Sequence, residues 1–230
     1  MRTQSPVEQA LQASELRAAF LRYTREAYAL LPALERPRIL DLGCGSGSAT
    51  IELARLSEGQ IVGIDTDASA LAELQRRIDE EDLGDRVRAL NASLFDVAWA
   101  DQSFDLLWEE GVLHLLDPAQ SLPACQRLLE PAGFFVMHET VAWFEGVRDH
   151  LGTIGLGIFN QLLLPGRCWW TDYYAPLEAR IRAFRKEHGD VESAELAQHE
   201  REIAMVKADP DRFDCGFFVL HRSRDSARSS

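Results

Sequence analysis

Ile39-Leu-Asp-Leu-Gly-Cys-Gly-Ser-Gly47 is the stretch on which the reading of the fold turns. The apolar run Arg38-Ile-Leu-Asp-Leu42 reads as a short buried strand that delivers Asp41 near its end, and helical spacing resumes from Ala49 to Leu56. Between them, glycines at 43, 45 and 47 form the turn. Glycine lets the backbone bend tightly and lets a ligand approach where a Cβ would clash. An ordinary strand-to-helix turn is the plain alternative, and three glycines beside a strand-end acid speak against it. A nicotinamide or flavin fingerprint calls for G-x-G-x-x-G, with a pyrophosphate on the helix N-terminus. Here the position of its third glycine is Ser48, the spacing is G-x-G-x-G, and Asp41 stands two residues ahead of the first glycine. A carboxylate there repels a pyrophosphate and suits a ligand that carries an ammonium group.

Outward from this loop, strand and helix alternate. Ile61–Ile64 reads as a second strand, Ala68–Ile78 as a helix and Val87–Leu90 as a third strand. Phe104–Trp108 follows as a fourth, then a helix from Pro118 to Leu129, a turn at Pro131–Gly133 and a fifth strand at Phe134–Met137. The strands are continuously apolar, the pattern of a parallel sheet covered on both faces. Such sheets bind ligands at the carboxyl ends of their strands. Beyond residue 140 the alternation stops. Gly155–Leu164 could form a sixth strand, Pro176–Ala208 is helical and charge-rich, and Gly216–Leu220 is a final strand. Ahead of the sheet, Leu16, Ala19, Phe20, Tyr23, Ala27, Leu30 and Leu31 recur at three- and four-residue steps, giving one apolar helical stripe that ends at Pro32 and Pro37.

Composition narrows the class. The chain has 230 residues, of which 46% are hydrophobic and 27% charged, which excludes a disordered polymer. With 24 Lys+Arg against 37 Asp+Glu the net charge is −13, a field that opposes nucleic-acid backbones and says little about small metabolites. Cys44, Cys125, Cys168 and Cys215 are scattered without a CxxC pair, so no zinc ribbon is expected and no metal site. They read as reduced thiols of a cytoplasmic protein. The first residues lack the apolar core of a secretory signal, and Leu151–Pro165 is too short and too polar to span a bilayer, so no membrane association is expected.

A second signal is Asp65, which closes the second strand. An acid there can accept both hydroxyls of a ribose. Its other available role is to cap the helix that follows, for which Asp67 is better placed. Taken together, LDLGCGSG, GIDTD, SFDLLWEEGVLHLL and RLLEPAGFFVMHE resemble the class I S-adenosylmethionine-dependent methyltransferases in order and spacing, over about residues 36 to 140. WEEGVLHLL, CWWTDYYAPLE and DCGFFVLHR look like a bacterial subgroup of uncertain substrate. The resemblance implies an α/β fold: a Rossmann-like, doubly wound sheet of seven mostly parallel strands with helices on both faces and the last strand antiparallel. It also implies S-adenosylmethionine as cofactor. Asp41, Gly43 and Gly45 would line its methionyl end, with Cys44, Ser46 and Gly47 nearby. Asp65 would hold the ribose and Thr66 would pass close to the adenosine. Ser93 falls where the family often has an aspartate on the adenine amino group, flanked by Ala92 and Leu94, and Glu109 would sit below the methionyl chain. Adenine-amino methyltransferases carry N/D-P-P-Y/F after the fourth strand. Here that position reads Glu109-Glu110-Gly111-Val112, which argues against a nucleobase acceptor.

The remaining candidates concern the acceptor. His114 lies at the mouth of such a site, either as a general base or as a histidine packed under a loop. Glu110 and Glu139 could meet substrate, and Glu139 could equally pair with an arginine. Trp169, Trp170, Tyr173 and Tyr174 crowd two indoles and two phenols into one segment, which could wall a substrate cavity or fasten extra helices to the sheet. A single methyltransferase domain is expected. It comprises a helical cap over 1–35, a cofactor-binding core over 36–140, a substrate-side insertion with the final strands over 141–222, and a frayed tail over 223–230. The charged stretch Glu178–Lys207 is a solvated face or a dimer surface, so a monomer or a homodimer is expected. The reaction implied is in-line methyl transfer to a small-molecule acceptor. The competing reading is a cofactor-binding regulatory module without turnover, and a nicotinamide oxidoreductase conflicts with Ser48 and Asp41.

Overall fold

Apolar residues fill the short strands without alternation. In the computed structural model, which describes residues 6–96 and 98–222, those strands join in one seven-stranded sheet. The described elements run in the order α1 (Pro6–Leu11), α2 (Ala13–Ala18), α3 (Leu21–Tyr28), β1 (Arg38–Leu42), α4 (Ser48–Leu56), β2 (Gln60–Asp65), α5 (Ala68–Glu80) and β3 (Val87–Asn91). Then come β4 (Phe104–Glu110), α6 (Pro118–Leu128), β5 (Leu129–Thr140), α7 (Val141–Thr153), β6 (Leu156–Leu163), α8 (Ala175–His188), α9 (Ala194–Ala208) and β7 (Cys215–Arg222). The chain forms two units. Residues 6–22 and 164–215 make a helical unit, and residues 23–163 and 216–222 make the sheet unit.

In the sheet unit the strand order is β3-β2-β1-β4-β5-β7-β6. β1 lies parallel to both β2 and β4, β2 to β3, and β4 to β5, while β6 and β7 run antiparallel to each other at one edge. This is the mostly parallel, seven-stranded Rossmann-like sheet that the sequence leads one to expect. The chain steps from β1 out to β3 and then returns to β4 on the other side of β1. The order therefore reverses between β1 and β4, where Leu42 stands opposite Glu109. In open α/β sheets this switch point is where ligands bind. The core beneath it is built from Leu40, Leu42, Leu107, Phe135, Met137, Phe144 and Phe218, all buried, with Phe144 stacked on Phe218 at 3.6 Å between ring centroids.

Short polar caps start the helices around the sheet. Asp67 Oδ1 accepts the N–H groups of Ser69 at 2.8 Å and Ala70 at 3.2 Å, Asp117 accepts from Ala119 at 3.0 Å, and Thr140 accepts from Trp143 at 3.2 Å. Asp67 is thus the cap of α5, and Asp65 is left for other work.

Four local expectations are corrected. The N-terminal stripe from Leu16 to Leu31 is not one helix but is divided between α2 and α3 by a tight turn at Ala19–Phe20. The alternation does not stop at residue 140, because α7 follows β5 and buries Phe144, Val147 and Leu151. The strand β5 begins at Leu129 and runs irregularly through the expected turn at 131–133, where Ala132 has φ 70°. The charged helical stretch is two helices, since Gly189 at φ 73° ends α8. Residues 6–22 group with 164–215, and most of α3 groups with the sheet. The tail 223–230 lies outside the described residues. Among the described residues no helix is long and apolar enough to cross a membrane.

Candidate active site

The glycine loop lies where β1 ends. Gly43 has φ 65°, and a Cβ added there would stand 2.7 Å from Val112 Cγ2, so this glycine lets the loop press against the turn after β4. Gly45 differs. Its φ is 53°, yet a Cβ there would meet nothing within 4 Å. The space before Gly45 is open, and its N–H donates to Asp65 Oδ2 at 2.8 Å. Asp65 Oδ1 accepts the N–H of Asp67 at 2.8 Å. The acid at the end of β2 is thereby fixed beside the loop from two directions, and each oxygen keeps a lone pair for a hydroxyl. Cys44 N–H donates to the Ile64 carbonyl at 2.9 Å, and Arg77 donates to the Ser46 carbonyl at 3.1 Å, so the loop is tied to β2 and α5 at successive residues. Gly47 precedes α4 and packs against Leu74. Thr66 follows Asp65 and is exposed.

Behind the loop stands a group of buried acids. Asp41 is 1% exposed and accepts the Thr50 hydroxyl at 2.5 Å. Burial is the main cause that pushes its carboxyl up to about 7; the Thr50 bond resists, and the charges of Glu110 and Asp65 add to the rise. Glu109 is fully buried. Its Oε2 accepts the Val112 N–H at 3.0 Å, and its Oε1 is buried without a hydrogen-bond partner. Burial, then the charge of Glu139, holds this carboxyl well above the usual carboxylate range. An unpartnered buried oxygen is uncommon in folded proteins and calls for a partner. Glu110 has a different setting. Its Oε1 accepts both the Thr24 hydroxyl and the Trp108 indole N–H at 2.9 Å, so it latches α3 to β4. The same helix is held by Arg25, which pairs with the buried Glu52 of α4.

Beyond β3, the Ala92 N–H donates to the Asp65 carbonyl at 3.0 Å, and Asn91 Nδ2 donates to the same carbonyl at 3.1 Å. The Ser93 hydroxyl accepts from the Phe95 N–H at 3.2 Å, and Leu94 is buried. Residues 92–94 therefore lie at the carboxyl edge next to Asp65, where adenine flanking was expected.

On the other side of the switch point, His114 sits in a one-turn helix over Leu113–Leu115. Its Nδ1 lies 3.0 Å from Glu139 Oε2 and 3.1 Å from Oε1, and its backbone N–H donates to Oε1 at 3.0 Å. Glu139 is 3% exposed, while the His114 side chain is 44% exposed. The partner of Glu139 is thus a histidine, not the arginine considered from sequence. Burial raises the Glu139 carboxyl, and the donors on His114 and Leu113 oppose the rise. His138, one residue earlier, is stacked on Phe217 at 4.5 Å, and burial pulls it down to about 4, so it stays neutral.

The structure brings together, in the sheet unit, Asp41, Gly43–Gly47, Asp65, Thr66, Ala92–Leu94, Glu109, Glu110, His114 and Glu139. The aromatic segment lies in the helical unit. Tyr173 is 1% exposed in the core of that unit with Leu11, Leu177 and Phe184; Trp169, Trp170 and Tyr174 pack against it, and Phe20 stacks on Trp169 at 4.4 Å. Fastening helices is the role these contacts describe. Sequence reasoning passed over Thr24, Thr50 and Asn91. Thr50, on the helix that the glycine loop opens, and Asn91, one residue before Ala92, stood close enough in sequence to be found.

These acids fit the group that the resemblance implies: open space before Gly45 for the body of the ligand, a carboxylate beside it for a diol, and unsatisfied buried oxygen for an ammonium. Comparison with known proteins agrees. A family model described as a methyltransferase domain matches residues 40–137. An uncharacterized protein of Synechococcus sp. is 34% identical over 83% of this chain and 46% of its own length. The 27-O-demethylrifamycin SV methyltransferase of Amycolatopsis mediterranei is 26% identical over 64% and 56%, so the chain spans about half the length of these curated relatives. A methyltransferase from Geobacter sulfurreducens, solved with S-adenosyl-L-homocysteine, shares the fold with a TM-score of 0.68 at 21% identity, covering 87% of this chain and 90% of that one. With its loop, its strand-end acids and its strand order, residues 40–137 of the chain match a methyltransferase domain, and the findings together support a class I S-adenosylmethionine-dependent methyltransferase.

Proposed function

We propose that this chain transfers the methyl group of S-adenosylmethionine to a small-molecule acceptor by in-line displacement. The observation that carries the reading is the open space at Gly45 with the Asp65 carboxylate fixed beside it. The bound cofactor supplies a methyl group already activated on a sulfonium, so the protein needs no nucleophile of its own. Asp65 holds the ribose hydroxyls, and Ala92, Ser93 and Leu94 flank the adenine. Asp41 and the unpartnered Glu109 oxygen receive the ammonium of the methionyl chain. The cluster of acids favours a cation over its neutral product and so aids exchange. Alignment and exclusion of water are then the protein's main contributions to rate. Supporting a small acceptor are the −13 net charge, the Glu109-Glu110-Gly111-Val112 sequence, and the relative named for a rifamycin substrate. Four cysteines outside any disulfide fit a cytoplasmic setting. Calorimetry with S-adenosylmethionine tests the reading. Asp65→Ala should fold and lose at least tenfold in affinity, equivalent to about 1.4 kcal/mol, and an unchanged affinity removes Asp65 from the site.

A further inference from the structure

Two buried acids from neighbouring strands hold the same short turn. Glu109 on β4 takes the Val112 N–H, and Glu139 at the end of β5 takes the His114 N–H. The turn between them carries an imidazole whose Nδ1 faces the Glu139 carboxylate while the ring remains 44% exposed. A carboxylate only accepts, so the proton of the neutral ring must sit on Nδ1 and Nε2 must be bare. This arrangement orients a base and stabilises the imidazolium it becomes, as the acid of a hydrolase triad does. A bare imidazole nitrogen on an exposed ring can take the proton of an acceptor that loses one during attack.

We propose that His114 and Glu139 form a base dyad and that the acceptor is a hydroxyl group, with Glu139 the positioning residue that keeps His114 Nε2 bare. The proposal rests on the methyl-transfer reading above and names its acceptor class. A neutral amine can attack first and shed its proton afterwards, and a thiol ionises readily near neutrality. A hydroxyl attacking alone would become a strongly acidic oxonium, so its proton has to leave as the bond forms. The oxygen lone pair makes the new O–CH3 bond while the donor's C–S bond breaks to a neutral thioether. The hydroxyl proton passes to His114 Nε2 and later to water at the exposed ring. The negative charge of Glu139 also disfavours an acceptor that arrives already ionised.

Two measurements test this on the full chain. In the first, histidine side chains labelled with ¹⁵N are read by long-range proton correlation, with His114→Asn identifying the signal. The neutral wild-type ring should carry its proton on Nδ1. In Glu139→Gln the amide oxygen stays with the backbone N–H of residue 114 and the NH2 faces Nδ1, so the proton should move to Nε2. A wild-type ring protonated on Nε2 overturns the dyad, and this spectrum decides even if the variant does not fold. In the second, methyl-labelled S-adenosylmethionine is incubated with a cell metabolite extract and the product is located by mass spectrometry. The label should appear on oxygen, and Glu139→Gln and His114→Gln should each lower its transfer by 10²–10⁴-fold with donor affinity unchanged. Label on nitrogen, carbon or sulfur overturns the hydroxyl assignment. Failure to bind the donor overturns the methyl-transfer reading instead, and the tautomer still reports on the dyad.

Discussion

Alanine at Gly43 and alanine at Gly45 should damage different properties of the same loop. Both positions have positive φ, 65° and 53°, where an L side chain costs about 1–2 kcal/mol. At Gly43 the new methyl would also lie 2.7 and 2.8 Å from Val112 Cγ2 and Cβ, and 3.1 Å from Cγ1, closer than packed carbons tolerate. Overpacking of that kind adds about 1–3 kcal/mol, so Gly43→Ala should lose roughly 2–5 kcal/mol in all. At Gly45 nothing lies within 4 Å, and the stability cost should stop at the backbone figure of about 1–2 kcal/mol. The methyl would instead enter the open space before Asp65. Urea unfolding measures the first quantity and calorimetry with S-adenosylmethionine the second. Gly45→Ala should fold nearly as well as wild type and bind the donor at least tenfold more weakly, about 1.4 kcal/mol. If Gly45→Ala binds as tightly as wild type, or unfolds as readily as Gly43→Ala, the cradle is misplaced.

Further outcomes follow from the buried acids and the core. Asp41 has its carboxyl raised from 3.8 to about 7 by burial, so the stability it confers is full below 3.8 and is lost as pH rises through about 7. Asp41→Asn should therefore stabilise the ligand-free protein at pH 8 and leave it unchanged at pH 4, as thermal unfolding across pH would show. Donor affinity of the wild type should rise over the same interval, because ionised Asp41 meets a cation. Thr24→Val removes one of two donors to Glu110 Oε1 and should cost about 1–3 kcal/mol in urea unfolding. Phe144→Ala empties a fully buried position stacked on Phe218 and should cost about 3–5 kcal/mol.

The parallel core was legible because its strands are continuously apolar and its loop residues are fixed by backbone geometry. Gly43 cannot bear a Cβ beside Val112, and Asp65 must follow a buried strand to reach the Gly45 N–H. The contacts span 69 and 20 residues, but each leaves a recognisable residue type, a glycine or an acid, directly at the end of an apolar strand. The α7 helix was missed for the opposite reason. Gly146 and Gly152 dilute its pattern, and the buried Phe144, Val147 and Leu151 mark only a narrow stripe. Other long-range pairings left no such local trace. Glu139 finds His114 at 25 residues' distance and Glu110 finds Thr24 at 86, each through strand register that only the folded sheet establishes. The aromatic run at 169–174 left two roles open, since its composition suits a ligand wall as well as a fastening, and its packing makes a helical core. Composition describes what a surface could bind and not which surface is exposed.

A crystal of the full chain grown with S-adenosyl-L-homocysteine bears most directly on the central claim. The account requires the ribose hydroxyls on the two oxygens of Asp65, the chain of the ligand passing Gly45, and its ammonium within hydrogen-bond reach of Glu109 Oε1 or Asp41. Ligand bound elsewhere, or a Gly45 space filled by the protein's own side chains at saturating concentration, would contradict it.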